Sequence, residues 1–136
     1  MKALVKWIGN EEFLCQSESN HSIILDANSA NSKAPSPLEN VLLSLGSCSS
    51  VDVVSILKKT RQAITGVEVN IEASRVDSIP RLFDKIHLHF VITGSDVEEK
   101  HVAKAVSLSA DKYCSVALML AGKVEISHTF EVINVD

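Results

Sequence analysis

A change in hydrophobic period near residue 36 constrains the fold more than any other feature of this sequence. Upstream of it, apolar residues such as Val5 and Trp7 stand at two-residue intervals, a pattern typical of strands. Downstream, apolar and small residues recur at steps of three and four from Leu38 to Leu57, which is the period of a helix. Strands and helices in one chain must cover each other's apolar faces. The sequence therefore predicts a mixed α+β fold.

The long helix is predicted to begin after Ser36 and to run to about Arg61. Ser36 as N-cap, Pro37 at the first helical position and Glu39 three residues after the cap form the pattern of a capping box. Gly66, a residue that adopts positive φ easily, is predicted to end the segment.

Strands and shorter helices are predicted on both sides of the long helix. Three strands in a short antiparallel meander precede a loop over 28–35 that is rich in turn formers. The predicted later elements are a hairpin with strands over 67–73 and 86–92, a helix that opens on a Ser95/Glu98 capping box and ends near Lys112, a helical stretch over 113–121 and a strand over 124–132. The order βββ-α-ββ-α-α-β predicts antiparallel sheets packed on a long central helix, in a single domain over 1–136.

Composition excludes several classes of function. The chain has 136 residues with 13 basic and 17 acidic side chains, and no basic stripe marks a nucleic-acid partner. The N-terminus lacks the apolar core of a signal peptide, and no run approaches the roughly 18 consecutive apolar residues of a membrane span. We therefore expect a cytoplasmic protein with neither a nucleic-acid nor a membrane partner.

The three cysteines, Cys15, Cys48 and Cys114, are too few and odd in number for a disulfide framework, so each is either buried or reactive. Cys48 lies midway along the predicted helix among small residues, where another segment could approach closely. Cys114 lies where the later helical pattern is renewed, and Cys15 has no comparable context. Each alone is best explained as a small buried hydrophobe. The pair is more informative, because a peroxide-reducing thiol needs a second cysteine to trap its sulfenic acid.

Two acidic residues could serve the Cys48 thiol. Glu39 has a sufficient structural role in the capping box, and nine helical steps, about 13 Å, separate it from Cys48. If Glu39 serves this thiol, it must come from a second subunit. Asp52 follows Cys48 by one helical turn, and an outward orientation or a polar contact is expected for it.

The histidines give only a weak indication of a metal site. His87 and His89 point to the same side of one strand, and His128 could lie on a neighbouring strand. The alternation of apolar and polar residues places His87 and His89 on the solvent-exposed face of the strand, where histidines are common without a metal. No metal site is therefore predicted. A serine hydrolase is less favoured still, because the sequence has no G-x-S-x-G motif.

Several motifs together make the chain similar to the OsmC/Ohr family, the osmotically inducible and organic hydroperoxide resistance proteins, and in particular to its YhfA-type branch. The motifs are Ser36-Pro37-Leu38-Glu39, Gly46-Ser47-Cys48 with Asp52-Val53, and Lys112-Tyr113-Cys114-Ser115-Val116. The resemblance implies an intertwined homodimer that reduces organic hydroperoxides at two interface sites, with a dithiol reductant and without a cofactor. It further implies that Cys48 is the peroxidatic cysteine, Cys114 the resolving cysteine and Glu39 an acidic residue that organises the site.

One element of the family pattern is missing. The family's peroxidases also use an arginine from the N-terminal part of the chain, whereas this sequence has no arginine before Arg61 and only Lys2, Lys6 and Lys33 upstream. A lysine provides a point charge rather than a planar fork. Candidates to replace the arginine are Lys33, Arg61, Arg75 and Arg81.

The missing arginine leaves three functions open. The first is weak hydroperoxide reduction. The second is a dimer of this fold that binds or senses a small electrophile or a thiol compound without efficient peroxidase turnover. The third is a structural dimer whose thiols are buried and inert.

Overall fold

The computed structural model describes residues 1–135, which divide into two compact units, one from Met1 to Leu43 and one from Ser44 onward. The elements are β1 (Ala3–Gly9), β2 (Glu12–Ser17), β3 (Ser22–Asp26), α1 (Pro37–Lys59), β4 (Ala63–Arg75), β5 (Phe83–Ser95), α2 (Glu99–Leu108), a π-helical turn (Ser109–Tyr113), α3 (Ser115–Leu120) and β6 (Glu125–Asn134). This order confirms the predicted βββ-α-ββ-α-α-β arrangement.

The first unit contains an antiparallel meander in the order β1-β2-β3, as predicted. Val5 pairs with Cys15, which pairs in turn with Ile23, so these three side chains share one face of the sheet. Large apolar side chains of the meander are exposed on both of its faces: Leu4, Val5, Trp7, Ile8, Ile23 and Ile24. A three-stranded sheet with two apolar faces needs cover from elsewhere to be stable in water.

A buried carboxylate organises the loop between β3 and α1. Asp26 accepts hydrogen bonds from the backbone N–H groups of Asn28 and Lys33, each at 2.9 Å. The pKa of Asp26 is held below its usual value, mainly by the hydrogen bond from Asn28 and next by the one from Lys33. The Lys33 charge adds to this effect, while desolvation opposes it.

The capping box that begins α1 is confirmed. The backbone N–H of Ser36 donates to Glu39 Oε1 at 2.9 Å, and the backbone N–H of Glu39 donates to Ser36 Oγ at 3.1 Å. The local pattern Ser-Pro-Leu-Glu thus fixes the first turn of the helix.

The second unit contains a sheet in the order β4-β5-β6. β4 and β5 form the predicted antiparallel hairpin, but β6 runs parallel to β5. The prediction of antiparallel pairing throughout was therefore wrong for β6. Two helices and a π-helical turn separate β5 from β6, and a connection of this length allows the chain to return in the same direction.

The core of the second unit lies between its sheet and its helices. β5 buries one face through Ile86, Leu88, Phe90 and Ile92. Against it lie the buried side chains of the helices, namely Leu45, Val53 and Leu57 of α1 and Val102, Ala105 and Val106 of α2.

Within residues 1–135, α1 is the one helix long and apolar enough to cross a membrane, with a mean hydropathy of 1.5 over its most apolar window. This helix contains no long run of consecutive apolar residues, because polar residues interrupt each run. Its buried positions Leu45, Ser49 and Val53 recur at four-residue steps, which is the pattern of a helix with one face in a protein core.

The end of α1 differs from the prediction. The helix ends at Lys59, and Arg61 takes the left-handed conformation, with φ of 60°. Gln62 N–H donates to Leu57 O and Arg61 N–H to Lys58 O, which is a Schellman arrangement with arginine where glycine is usual. Gly66 instead lies inside β4, at an irregularity in its pairing with β5.

The start and end of α2 also differ from the prediction. The Ser95/Glu98 capping box does not form, because Ser95 is the last residue of β5 and Glu98 is itself the N-cap, with no side-chain cap. The Glu98 carboxylate pairs with His101 at 3.0 Å. The helix ends at Leu108 rather than near Lys112, because a π-helical turn follows it.

Candidate functional site

Two of the three cysteines lie together in the second unit. Cys48 is on α1 and is half-buried, whereas Cys114 follows the π-helical turn and has an exposed fraction of 0%. Cys48 acts on the second cysteine, because its side chain contributes to raising the pKa of the Cys114 thiol. Cys15 lies on β2, in the first unit.

The π-helical turn determines where Cys114 is placed. The backbone N–H of Cys114 donates to Ser109 O at 2.8 Å, five residues back, and the chain then extends at Cys114, with φ of −75° and ψ of 104°. Cys114 thereby becomes the N-cap of α3, and its Sγ accepts a hydrogen bond from the backbone N–H of Ala117 at 3.4 Å. Such π-type turns are rare and occur frequently at functional sites.

One buried hydroxyl group contacts the Cys114 sulfur, and a second lies in the same hydrogen-bonded cluster. Ser49 Oγ donates to Cys114 Sγ at 3.3 Å. Ser109 Oγ lies 2.9 Å from Asp52 Oδ2 and 3.3 Å from Ser49 O, so its single proton is shared between two acceptors. This contact confirms the polar role expected for Asp52.

The sequence analysis names neither Ser49 nor Ser109 as a candidate site residue. Of the three buried polar residues among the described part of the chain, these two lie beside Cys114. The available signal was a serine at a core position of an apolar stripe, since buried hydroxyls require partners.

The environment of Cys114 opposes its ionisation. Burial, first of all, raises the pKa of the Cys114 thiol, whereas the hydrogen bonds from Ser49 and Ala117 act in the opposite direction. The hydrogen bond with Cys48 and the Coulombic interaction with it raise the pKa further. The Cys114 thiolate is therefore disfavoured, and Cys114 is fully buried whereas Cys48 is only half-buried.

The predicted acidic site residue, Glu39, lies in the first unit. Its carboxylate is engaged at the start of α1 by the backbone N–H of Ser36. This hydrogen bond accounts for Glu39 as a helix-capping residue. The structure of one chain leaves the expected trans role as a prediction.

The candidate replacements for the missing arginine have other partners. Arg75 Nε donates to Arg81 O at 2.8 Å and Arg81 Nε donates to Val76 O at 3.2 Å, so the last residue of β4 and the turn that follows it engage both side chains. Arg61 lies beyond the end of α1, whose axis rises about 16 Å from Cys48 to that end. Lys33 belongs to the Asp26 loop.

His87 and His89 belong to a hydrogen-bonded chain of side chains on β5 and β6. His87 contacts Ser127 at 2.7 Å and Thr129 at 2.9 Å, and His89 contacts Thr129 at 2.7 Å and Glu131 at 3.5 Å. Pairing with Leu88 places His128 on the other face of the sheet. Within residues 1–135 no group of three or more histidine, cysteine or acidic side chains is arranged to hold a metal ion.

The comparisons with known proteins agree with this architecture. The sequence model of the OsmC-like protein family matches residues 30–129. The chain is 52% identical over 133 residues to protein YhfA of Escherichia coli K12, and the match covers 98% of each chain.

Solved structures give the same picture. A hypothetical protein from Aquifex aeolicus is 30% identical, with a TM-score of 0.89 and coverage of 99% of this chain and 97% of that one. An organic hydroperoxide resistance protein OsmC from Legionella pneumophila shares the fold at 15% identity, with a TM-score of 0.71 and coverage of 99% and 98%. The chain therefore belongs to the OsmC-like protein family.

Proposed function

We propose that this protein reduces organic hydroperoxides through Cys48 and Cys114, in a homodimer located in the cytoplasm. The observation that carries the proposal is that α1 meets Cys114 next to Cys48: Ser49, the residue after the half-buried Cys48, donates a hydrogen bond to the fully buried Cys114 sulfur at 3.3 Å. Oxidation susceptibility follows exposure, so the accessible Cys48 meets the peroxide and the buried Cys114 meets only Cys48.

The proposed reaction transfers two electrons from the thiols to the peroxide. The Cys48 thiolate attacks one oxygen of the hydroperoxide, the O–O bond breaks, and the alcohol leaves after protonation. The resulting sulfenic acid on Cys48 is attacked by the Cys114 sulfur, and water leaves as the disulfide forms. A dithiol reductant then restores both thiols and is itself oxidised to a disulfide.

The exposed apolar residues of the first unit support the homodimer. Leu4 and Ile8 on one face of β1, and Val5 and Trp7 on the other, leave neither face covered. We propose that a second chain covers them and that Glu39 of each chain serves the thiols of the other. We expect a stable dimer by analytical ultracentrifugation at micromolar concentration, and a stable monomer would contradict the shared-site proposal.

The roles of the two cysteines are tested by trapping sulfenic acid with dimedone. After one equivalent of cumene hydroperoxide, Cys114→Ser should accumulate a labelled sulfenic acid, because no second thiol removes it, while Cys48→Ser should show none. Cys15→Ser is the matched control and should form the Cys48–Cys114 disulfide as the wild type does. Equal labelling of the Cys48 and Cys114 variants would contradict the assignment.

A second candidate function is favoured by the missing arginine. No arginine precedes Arg61, and the hydrogen bonds of Arg75 and Arg81 lie within a hairpin turn. A dimer that senses a small electrophile or a thiol compound needs the two thiols but not rapid turnover. Steady-state reduction of cumene hydroperoxide with a dithiol distinguishes the two. Many turnovers per site indicate a peroxidase, whereas one stoichiometric oxidation that is not recycled indicates a sensor.

A further inference from the structure

We infer that Ser49 is a positioning residue that makes the Cys48–Cys114 disulfide easier to reduce, by donating a hydrogen bond to the Cys114 sulfur as it leaves. The inference rests on the proposed function only in requiring that these two cysteines form a disulfide. It does not depend on a peroxide as the oxidant.

The geometry around Cys114 brings two donors to one sulfur. Ser49 lies next to Cys48 in the chain, yet its hydroxyl donates across 65 residues of sequence to Cys114 Sγ at 3.3 Å. The backbone N–H of Ala117 donates to the same sulfur at 3.4 Å. Ser49 has an exposed fraction of 2% and Cys114 of 0%, so water cannot take the place of either donor.

The accessibility of the two sulfurs sets the order of reduction. An external thiolate can reach only the half-buried Cys48 sulfur, because Cys114 is fully buried. Its attack forms a mixed disulfide at Cys48 and breaks the bond to Cys114, whose sulfur takes the electron pair and leaves as a thiolate. The second thiol of the reductant then releases Cys48 as a thiolate, and the reductant has lost two electrons.

Ser49 acts at the step in which the Cys114 sulfur leaves. Burial disfavours a thiolate at this position, and hydrogen bonds to the charged form favour it. In the free-thiol state the Ser49 hydroxyl already donates to this sulfur, at 3.3 Å. A sulfur that leaves into a hydrogen bond leaves faster, since a more stable leaving thiolate departs more readily.

Ser109 provides a matched control. Its hydroxyl is equally buried, with an exposed fraction of 1%, and lies in the same cluster, but it donates toward Asp52 and the Ser49 carbonyl rather than toward sulfur. Ser109→Ala removes a buried hydroxyl without removing a donor to Cys114. Any effect confined to Ser49→Ala therefore reports on the sulfur rather than on packing.

The experiment starts from protein oxidised with diamide, which takes two electrons and two protons from the thiols. Wild type, Ser49→Ala and Ser109→Ala are reduced by dithiothreitol, and the free Cys114 thiol is counted by alkylation and mass spectrometry. The loss of one hydrogen bond predicts a reduction rate and a reduction equilibrium each lower by about 3- to 10-fold for Ser49→Ala. This equilibrium change corresponds to a reduction potential about 15–30 mV more negative. Ser109→Ala should stay within about twofold of wild type, and the Ser49→Ala deficit should grow with pH.

Equal rates for the two serine variants, or an unchanged potential for Ser49→Ala, would overturn the inference. If Ser49→Ala does not fold, Ser49→Thr and Ser49→Val replace it, since they have similar shapes and only threonine keeps the hydroxyl. A wild type that forms no disulfide with diamide contradicts both proposals. A disulfide that forms with diamide but not with cumene hydroperoxide overturns the peroxidase alone.

Discussion

Gly46 lies two residues before Cys48, where α1 packs against β4. A Cβ atom there would stand 2.7 Å from Ile71 Cδ1 and 3.3 Å from Val69 Cγ1. Carbon atoms normally lie roughly 3.5–4.0 Å apart, so Gly46→Ala requires Ile71 Cδ1 to move by about 1 Å. Overpacking of this kind costs about 1–3 kcal/mol, and the helix propensity of alanine recovers about 1 kcal/mol. Because Ile71 is half-buried and can yield, we expect the free energy of unfolding to fall by about 1 kcal/mol.

A double-mutant cycle isolates this contact. Ile71→Val removes Cδ1, the atom closest to the new Cβ, and alone costs about 1 kcal/mol. In the double variant the close contact is absent while the helix propensity of alanine remains. We therefore expect the two changes to be non-additive by about 1 kcal/mol in favour of the double variant. Urea unfolding of the four proteins at one protein concentration measures this coupling. Additive free energies would refute a close approach of α1 to β4 at Gly46.

Three further predictions concern pH. The pKa of Asp26 is lowered in the folded chain, so Asp26 stabilises the fold at pH values above its unfolded pKa of about 3.9. This contribution is lost as the pH falls through the folded pKa. Asp26→Asn should therefore flatten the decline of the urea midpoint below about pH 5. The pKa of Cys114 is raised in the folded chain, so its contribution to stability is present below its unfolded pKa of about 8.5 and is lost as the pH rises through the folded pKa. Cys114→Ala should therefore flatten the alkaline decline of the melting temperature. Cumene hydroperoxide turnover should be slow at pH 7, rise toward pH 9 and exceed that of hydrogen peroxide; a flat profile would indicate a cation at the site.

The sequence predicted the elements whose signals are local. The capping box at Ser36 and Glu39 formed as expected, because both partners lie within one helical turn. The direction of β6 was not predictable in this way, since its pairing depends on how two helices return the chain to the sheet. The predicted end of α1 was wrong, because the residue that takes the left-handed conformation there is Arg61 and not a glycine such as Gly66.

The candidate site was predictable only in part. The resemblance to a family, not the spacing of residues, paired Cys48 with Cys114, and in the structure Ser49, the neighbour of Cys48, donates a hydrogen bond to the Cys114 sulfur. The position of Ser49 in an apolar stripe indicated a buried hydroxyl but not its partner. Its role depends on a π-helical turn more than sixty residues away that brings a sulfur to its hydroxyl. No local pattern in the sequence indicated that turn.

The hydrogen bonds at the site favour one thiol over the other. The donors that the described residues place around the pair, Ser49 and Ala117, both point at Cys114. In a peroxidase with rapid turnover, a fixed positive charge and hydrogen-bond donors would be expected at the attacking sulfur, because they stabilise its thiolate. Here both donors point at the sulfur that, in our proposal, leaves when the disulfide is reduced. With no arginine before Arg61, the chain has fewer means to accelerate oxidation than to facilitate reduction. We therefore expect oxidation of Cys48, rather than recovery of the thiols, to limit turnover when a dithiol is abundant.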